Sequence, residues 1–199
     1  MSRKGPYWAR ADVDAWDEER DARLYDGDMP VVAHPPCAAW CQLAGLRQAR
    51  YGLPKGEDGG CFASALANVR RCGGVLEHPA FTRAWAEHDL AAPPAFGWAR
   101  TLAGEWVCEV SQCAYGHRAR KLTWLLYVGN TPPAVLDWSR PAPRGVVSGA
   151  RNNCGRPMNQ RVWAAEASRT PPRFAEALIS LARASESQNG TPIPKSKHR

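Results

Sequence analysis

The sequence predicts an α/β domain whose sheet is mostly parallel, carries one antiparallel strand and is flanked by helices. Three observations predict it. Two short apolar runs, "MPVVAHPP" and "GGVLEHP", are each closed by proline, as buried strands are. Between them lies "CFASALANVRRC", which sets Phe62, Ala65, Leu66 and Val69 on one helical face. Two further apolar runs, "EWVCEVSQCAYG" and "KLTWLLYVGN", are joined by a link too tight for a crossover helix.

In chain order, residues 1–28 are polar and charged, and "DVDAWDEERDARLYDGD" reads as one short surface helix. A single domain follows over 29–184. Its first strand stops at Pro35-Pro36, because proline brings no N–H to a sheet ladder. The next stretch, "CAAWCQLAGLRQARYGLPKGEDGG", mixes helical character with a Gly-rich polar loop. The helix over 61–72 is stopped by Gly73-Gly74. Strand, helix and strand at this spacing form a parallel βαβ unit, right-handed by default. "FTRAWAEHDL" supplies one or two helical turns, and the third and fourth strands pair antiparallel. The amphipathic helix "PPRFAEALISLARA" is opened by Thr170 at the N-cap and Pro171 in the first turn. Residues 185–199 form a basic tail expected to be disordered.

A chain of 199 residues with 44 % hydrophobic content and nine tryptophans can bury one good core, which argues against a disordered chain. No apolar run approaches the roughly 18 residues of a membrane span. No amino-terminal signal pattern is visible, so a soluble cytoplasmic protein without a membrane partner is expected. The formal charge of +7, with 26 Lys and Arg, favours an anionic partner, most simply nucleic acid, although part of the excess lies in the tail "KSKHR". Seven cysteines form an odd set without secretory context, so reduced thiols are expected.

In an α/β sheet, ligands bind beyond the carboxyl ends of the strands. Cys37 follows the first strand, Glu77-His78 the second, and the link carrying His117, Arg118 and Arg120 leads into the fourth. Cys37 is either a small apolar plug or a nucleophile, and a nucleophile needs a nearby cation or helix terminus to lower its pKa. Glu77 is either a catalytic acid or a capping or ion-pairing group. His34, Pro36, Trp40, His78 and His117 complete the candidate substrate-binding set, with Trp40 near the substrate base and His78 read first as a locally bonded strand-end residue. Metal chemistry is the rival: Cys108, Cys113 and His117 are spaced C-x4-C-x3-H, short of the two close pairs of a structural zinc site. "HPPCAAWC" lacks the H-x-E and the cysteine spacing of a zinc deaminase. No metal is expected.

"VVAHPPCAAW", "GGVLEHP" and "YGHRARKLTWLLYVG" together resemble, in order and spacing, three motifs of the cytosine-5 DNA methyltransferases, in a short phage-type form. The resemblance covers roughly residues 30–130 and implies a Rossmann-like methyltransferase half-sheet. It implies that Cys37 attacks C6 of a pyrimidine, that Glu77 bonds the ring edge and assists protonation at N3, and that Arg118 and Arg120 fix a carbonyl or phosphate. A raised pKa at Glu77 is the corresponding expectation. The family's cofactor is S-adenosylmethionine. The 36 residues before Cys37 hold no G-x-G loop and one candidate strand, so no residue is assigned to the cofactor. The expected partner is DNA or a pyrimidine nucleotide, with a further subunit or a second copy as a source of the missing half. The rival function is a non-catalytic DNA-binding or anti-restriction decoy built on the same fold.

Overall fold

The computed structural model describes residues 5–41, 44, 48–49, 52, 54–147 and 161–186. Among these, the elements that build the body are β1 (Val31–Ala33), α1 (Cys61–Cys72), β2 (Gly74–Pro79), α2 (Arg83–Glu87), β3 (Ala99–Arg100), β4 (Trp106–Ser111) and β5 (Leu122–Val128). A parallel pair follows, β6 (Val146–Val147) and β7 (Arg161–Val162), and then α3 (Ala164–Ala167) and α4 (Pro172–Glu186). The five-stranded sheet has the order β1-β2-β5-β4-β3.

The sheet is mixed, which corrects the mostly parallel expectation. Only β1 and β2 pair parallel; β2–β5, β5–β4 and β4–β3 are antiparallel. The pairing of β4 with β5 is the one the short link required. It places β5 between β2 and β4 and makes it the central strand.

Two glycines set the β1–β2 register. Gly73 ends α1 at φ +80° while its N–H donates to the Val69 carbonyl at 2.9 Å. Gly74 follows at φ +116°, and a Cβ there would lie 2.1 Å from the Val31 carbonyl oxygen. No side chain fits that approach. Val31 therefore sits opposite Gly74, Val32 opposite Val75 and Ala33 opposite Leu76.

Helices cover both faces of the sheet. Phe62, Leu66, Val69 and Cys72 of α1 are buried, and the first three pack with Leu76, Trp85, Trp124 and Leu126. On the other face Phe174, Leu178 and Leu181 of α4 close over Val75, Cys108, Val110, Leu125 and Tyr127. Full burial of each such side chain stabilises by about 1.5–3 kcal/mol. Pro171 accepts from the N–H groups of Phe174 and Ala175 at 3.0 Å, so it is the N-cap and Pro172 the first helical residue. That is one position later than the sequence suggested. The helix also continues to Glu186 and so takes in the first two residues of the proposed tail. Residues 187–199 lie outside the described residues.

The amino-terminal segment is not the expected surface helix. It holds turns and one three-residue 3-10 turn, Ala22–Leu24. The cause is its aspartates. Asp17 accepts from the N–H groups of Glu19 and Arg20 at 2.8 and 3.0 Å, and Asp21 from Arg23 at 3.2 Å, which competes with helical bonding. Nor is the segment detached: Tyr7 is buried against Ala175 and Ile179 of α4.

Eight residues between 42 and 53 lie outside the described residues, and Asp58, in the described stretch that follows, organises the entry to α1. Its carboxylate accepts from the backbone N–H of Gly60 at 3.0 Å and of Phe62 at 2.9 Å, and from the Trp40 indole N–H at 2.8 Å. One side chain thus caps α1 and anchors the turn after β1. Asp58→Ala is expected to cost about 1–2 kcal/mol, read from urea unfolding followed by tryptophan fluorescence.

Candidate active site

The β1–β2 register continues one step beyond the paired residues and brings His34 beside Glu77. Both side chains project from the face covered by α4, because Val32 and Val75, two residues earlier, do so. His34 Nδ1 and Glu77 Oε2 are 2.7 Å apart, with both side chains about nine-tenths buried. Behind His34, its Nε2 lies 2.7 Å from the Tyr7 hydroxyl. Burial, followed by the charge of Glu77, keeps the Tyr7 phenol protonated. The phenol can therefore donate to Nε2 and direct the Nδ1–H at the carboxylate.

The second carboxylate oxygen is held from the residue that follows β4. Gln112 donates through Nε2 to Glu77 Oε1 at 3.1 Å and to the Thr123 hydroxyl at 2.9 Å. Two acceptors on one nitrogen fix the amide's orientation and leave its carbonyl oxygen buried without a protein partner. Thr123 lies opposite Pro79, and Lys121 precedes it on the same face by strand alternation. The Lys121 ammonium donates to the carbonyls of Ser168 and Arg169 at 3.5 and 3.2 Å. It remains close enough to Glu77 and Cys37 to interact with both.

Cys37 stands in the turn after Pro35-Pro36, its carbonyl accepting from the N–H groups of Trp40 at 3.0 Å and Cys41 at 2.9 Å. The residue is exposed at the carboxyl edge of the sheet. Enough protein surrounds the sulfur that lost hydration raises its pKa above the usual thiol value; Cys41 and Glu77 push the same way and Lys121 opposes them. Cys37 is a thiol at neutral pH. Around Glu77, burial favours the neutral acid, but the His34 hydrogen bond and charge, with Lys121, outweigh it and hold the carboxyl below its ordinary value. The raised pKa that N3 protonation called for is therefore not found in the free protein. The site pairs an ionised, fully bonded acid with a protonated thiol.

Other candidates divide clearly. Pro36 is exposed beside Cys37. His78 is completely buried, alternating to the opposite face of β2 from Glu77 and packing edge-on against Phe62 at 5.2 Å. Neither ring nitrogen meets a hydrogen-bonding partner in good geometry. Loss of hydration lowers its pKa to about 4, and Glu77 and the Pro36 backbone only partly offset this. It has no free edge for a substrate. Trp40 is likewise core, 5 % exposed and bonded to Asp58, so its ring is closed to a base. His117 is buried with Nδ1 against the Ala119 backbone.

The guanidiniums do not converge with the acid and thiol as expected. Arg118 pairs with both oxygens of Glu166 at 3.0 and 3.1 Å, while Arg120 is exposed at the alternate position before β5. The cation beside Glu77 and Cys37 is Lys121. Cys108 is buried within β4, Cys113 donates to the Ala119 carbonyl at 3.0 Å, and no group of three ligating side chains gathers among the described residues. Sequence reasoning missed Tyr7, Gln112 and Lys121. Only Lys121 had a sequence signal, its place two residues before a buried strand threonine.

No family model, curated protein or solved structure matches this chain.

Two measurements check this electrostatic picture. His78 titrates near 6.5 when unfolded and near 4 when folded, so the unfolded chain binds the extra proton between those values. Stability is then full above about pH 6.5 and falls as pH drops toward 4, by about 3 kcal/mol from this group. Urea unfolding across that range should show the slope, and His78→Phe should flatten it. Removing the Lys121 charge should raise the Cys37 thiol further. Lys121→Gln is expected to slow iodoacetamide alkylation of Cys37 at pH 7.5 by about 3- to 10-fold, while Lys121→Arg stays near the wild-type rate.

Proposed function

We propose that this chain is a pyrimidine-modifying enzyme that activates C5 through covalent addition of Cys37 to C6. The observation that carries the reading is the meeting of an exposed thiol, a buried carboxylate and an ammonium at the carboxyl edge of one parallel strand pair. Three motif segments shared with the cytosine-5 DNA methyltransferases support it, as does the net charge of +7.

In this reading the exposed Cys37 thiol gives up its proton to water and its sulfur donates an electron pair to C6. The C5–C6 π pair moves onto C5, and the ring's negative charge is relieved at the N3 edge. Glu77 faces that edge. Because its carboxyl is ionised at rest, Glu77 takes the proton for N3 from water as charge develops on the ring, while His34, with Nδ1 2.7 Å from Oε2, holds the carboxyl in place. C5 then bonds an electrophile and loses its hydrogen as a proton, and the C6–S bond breaks with its pair returning to sulfur. With water as the proton source, this sequence exchanges the C5 hydrogen without any group donor. A group other than hydrogen requires an electrophile such as S-adenosylmethionine, toward which no residue is assigned.

The raised thiol pKa favours a second reading, a nucleic-acid-binding decoy that keeps the fold without the chemistry. Exchange separates them. Wild-type protein with cytosine-containing oligonucleotides or 2′-deoxycytidine monophosphate in D2O should incorporate deuterium at C5, and Cys37→Ser should abolish it. Glu77→Gln should lower the rate by about 100-fold or more, the range for a proton-transfer group. An oligonucleotide carrying 5-fluorocytosine, tested with and without S-adenosylmethionine, should form an adduct that Cys37→Ala loses. Absence of both exchange and adduct leaves the decoy reading.

A further inference from the structure

Among the described residues three that are not glycine adopt a positive φ: Asp21 at 35°, Asp89 at 52° and Phe81 at 61°. Aspartate tolerates this region because its short side chain bonds locally; a bulky aromatic does not, and its presence marks strain. Glycine occupies nine other such positions in the described chain. At Phe81 the strain does not serve burial, since the residue is 58 % exposed. Its ring instead rests at 5.4 Å and 59° on Trp124, a core residue itself packed on Trp85 and bonded to Glu109 at 2.9 Å. The backbone thus pays in conformational energy to hold a supported aromatic surface toward solvent.

Its position gives that surface a purpose. Phe81 lies two residues beyond the end of β2, the strand that carries Glu77. The loop it sits in is tied to the Cys37 turn, because the Arg83 N–H donates to the Trp40 carbonyl at 3.1 Å. Ala80 anchors the same loop to the sheet through the Leu122 carbonyl at 2.9 Å. An exposed aromatic on the same rim as the nucleophile, in a basic chain, matches a stacking surface for flat heterocycles on an anionic strand.

We propose that Phe81 is the stacking platform for a nucleobase neighbouring the one presented to Cys37, so that the substrate is a single-stranded or locally opened polynucleotide rather than a free nucleotide. The inference rests on the pyrimidine-modifying reading and narrows it.

Binding of a fluorescein-labelled single-stranded 12-mer of deoxycytidine, followed by anisotropy across a salt series, tests it. Phe81→Ala should weaken binding by about 5- to 100-fold at each salt concentration, the range for one base–aromatic stack, with the salt slope unchanged because no phosphate contact is lost. Phe81→Trp should restore affinity, and Phe81→Leu, apolar without a π face, should stay weak. Wild-type affinity in Phe81→Ala or in Phe81→Leu overturns the proposal, the latter reducing the ring to packing on Trp124. A wild-type chain that exchanges hydrogen on 2′-deoxycytidine monophosphate but does not bind the 12-mer also overturns it and leaves the enzyme reading standing. No exchange on either substrate and no 12-mer binding removes both.

Discussion

The 2.7 Å contact between His34 and Glu77 depends on where β1 lies along β2, and the rest of the sheet's carboxyl edge depends on that contact. A one-residue slip of β1 would turn His34 from the α4 face to the α1 face, among Phe62, Leu66 and Trp85, and take it away from Glu77, which β5 holds in place. Gly74 prevents the slip because its missing Cβ is what admits the Val31 carbonyl. A backbone steric condition 74 residues into the chain therefore decides which groups meet Cys37.

Burying Glu77 costs several kcal/mol unless its charge is satisfied, and the structure satisfies it from three directions. His34 and Gln112 donate directly, while Lys121 contributes charge. Tyr7 and Thr123 then fix the donors, so the network extends from the amino-terminal segment to the central strand. This explains why a polar leading segment is folded down onto α4 instead of lying free. The thiol has no such support. Its environment raises its pKa, and the single cation opposing that trend is Lys121. The network is preorganised around the acid, and the thiol is left without a comparable set of partners.

The two faces of β2 illustrate how strongly alternation divides chemistry from packing. Glu77 and His78 are chain neighbours, yet one joins a hydrogen-bond network and the other is sealed without partners beside Phe62. Trp40 and Cys37 diverge for a related reason: three residues of turn separate an exposed thiol from an indole anchored on Asp58.

What the sequence determined by itself was local. Apolar runs closed by Pro35-Pro36 and Pro79, the amphipathic period of 61–72 and the Gly73-Gly74 stop were legible because each acts over a few residues. The short link before Lys121 likewise forced β4 and β5 to run antiparallel. Cys37, Glu77 and His34 were legible as strand-end groups. Only the tertiary structure decided that β5 inserts between β2 and β4, that Lys121 rather than Arg118 reaches the acid, and that Tyr7 and Gln112 complete it. Those partners lie between 27 and 44 positions away from the residues they serve, a separation at which residue pattern carries no signal and the register of packed strands and the cost of a buried charge choose the neighbours.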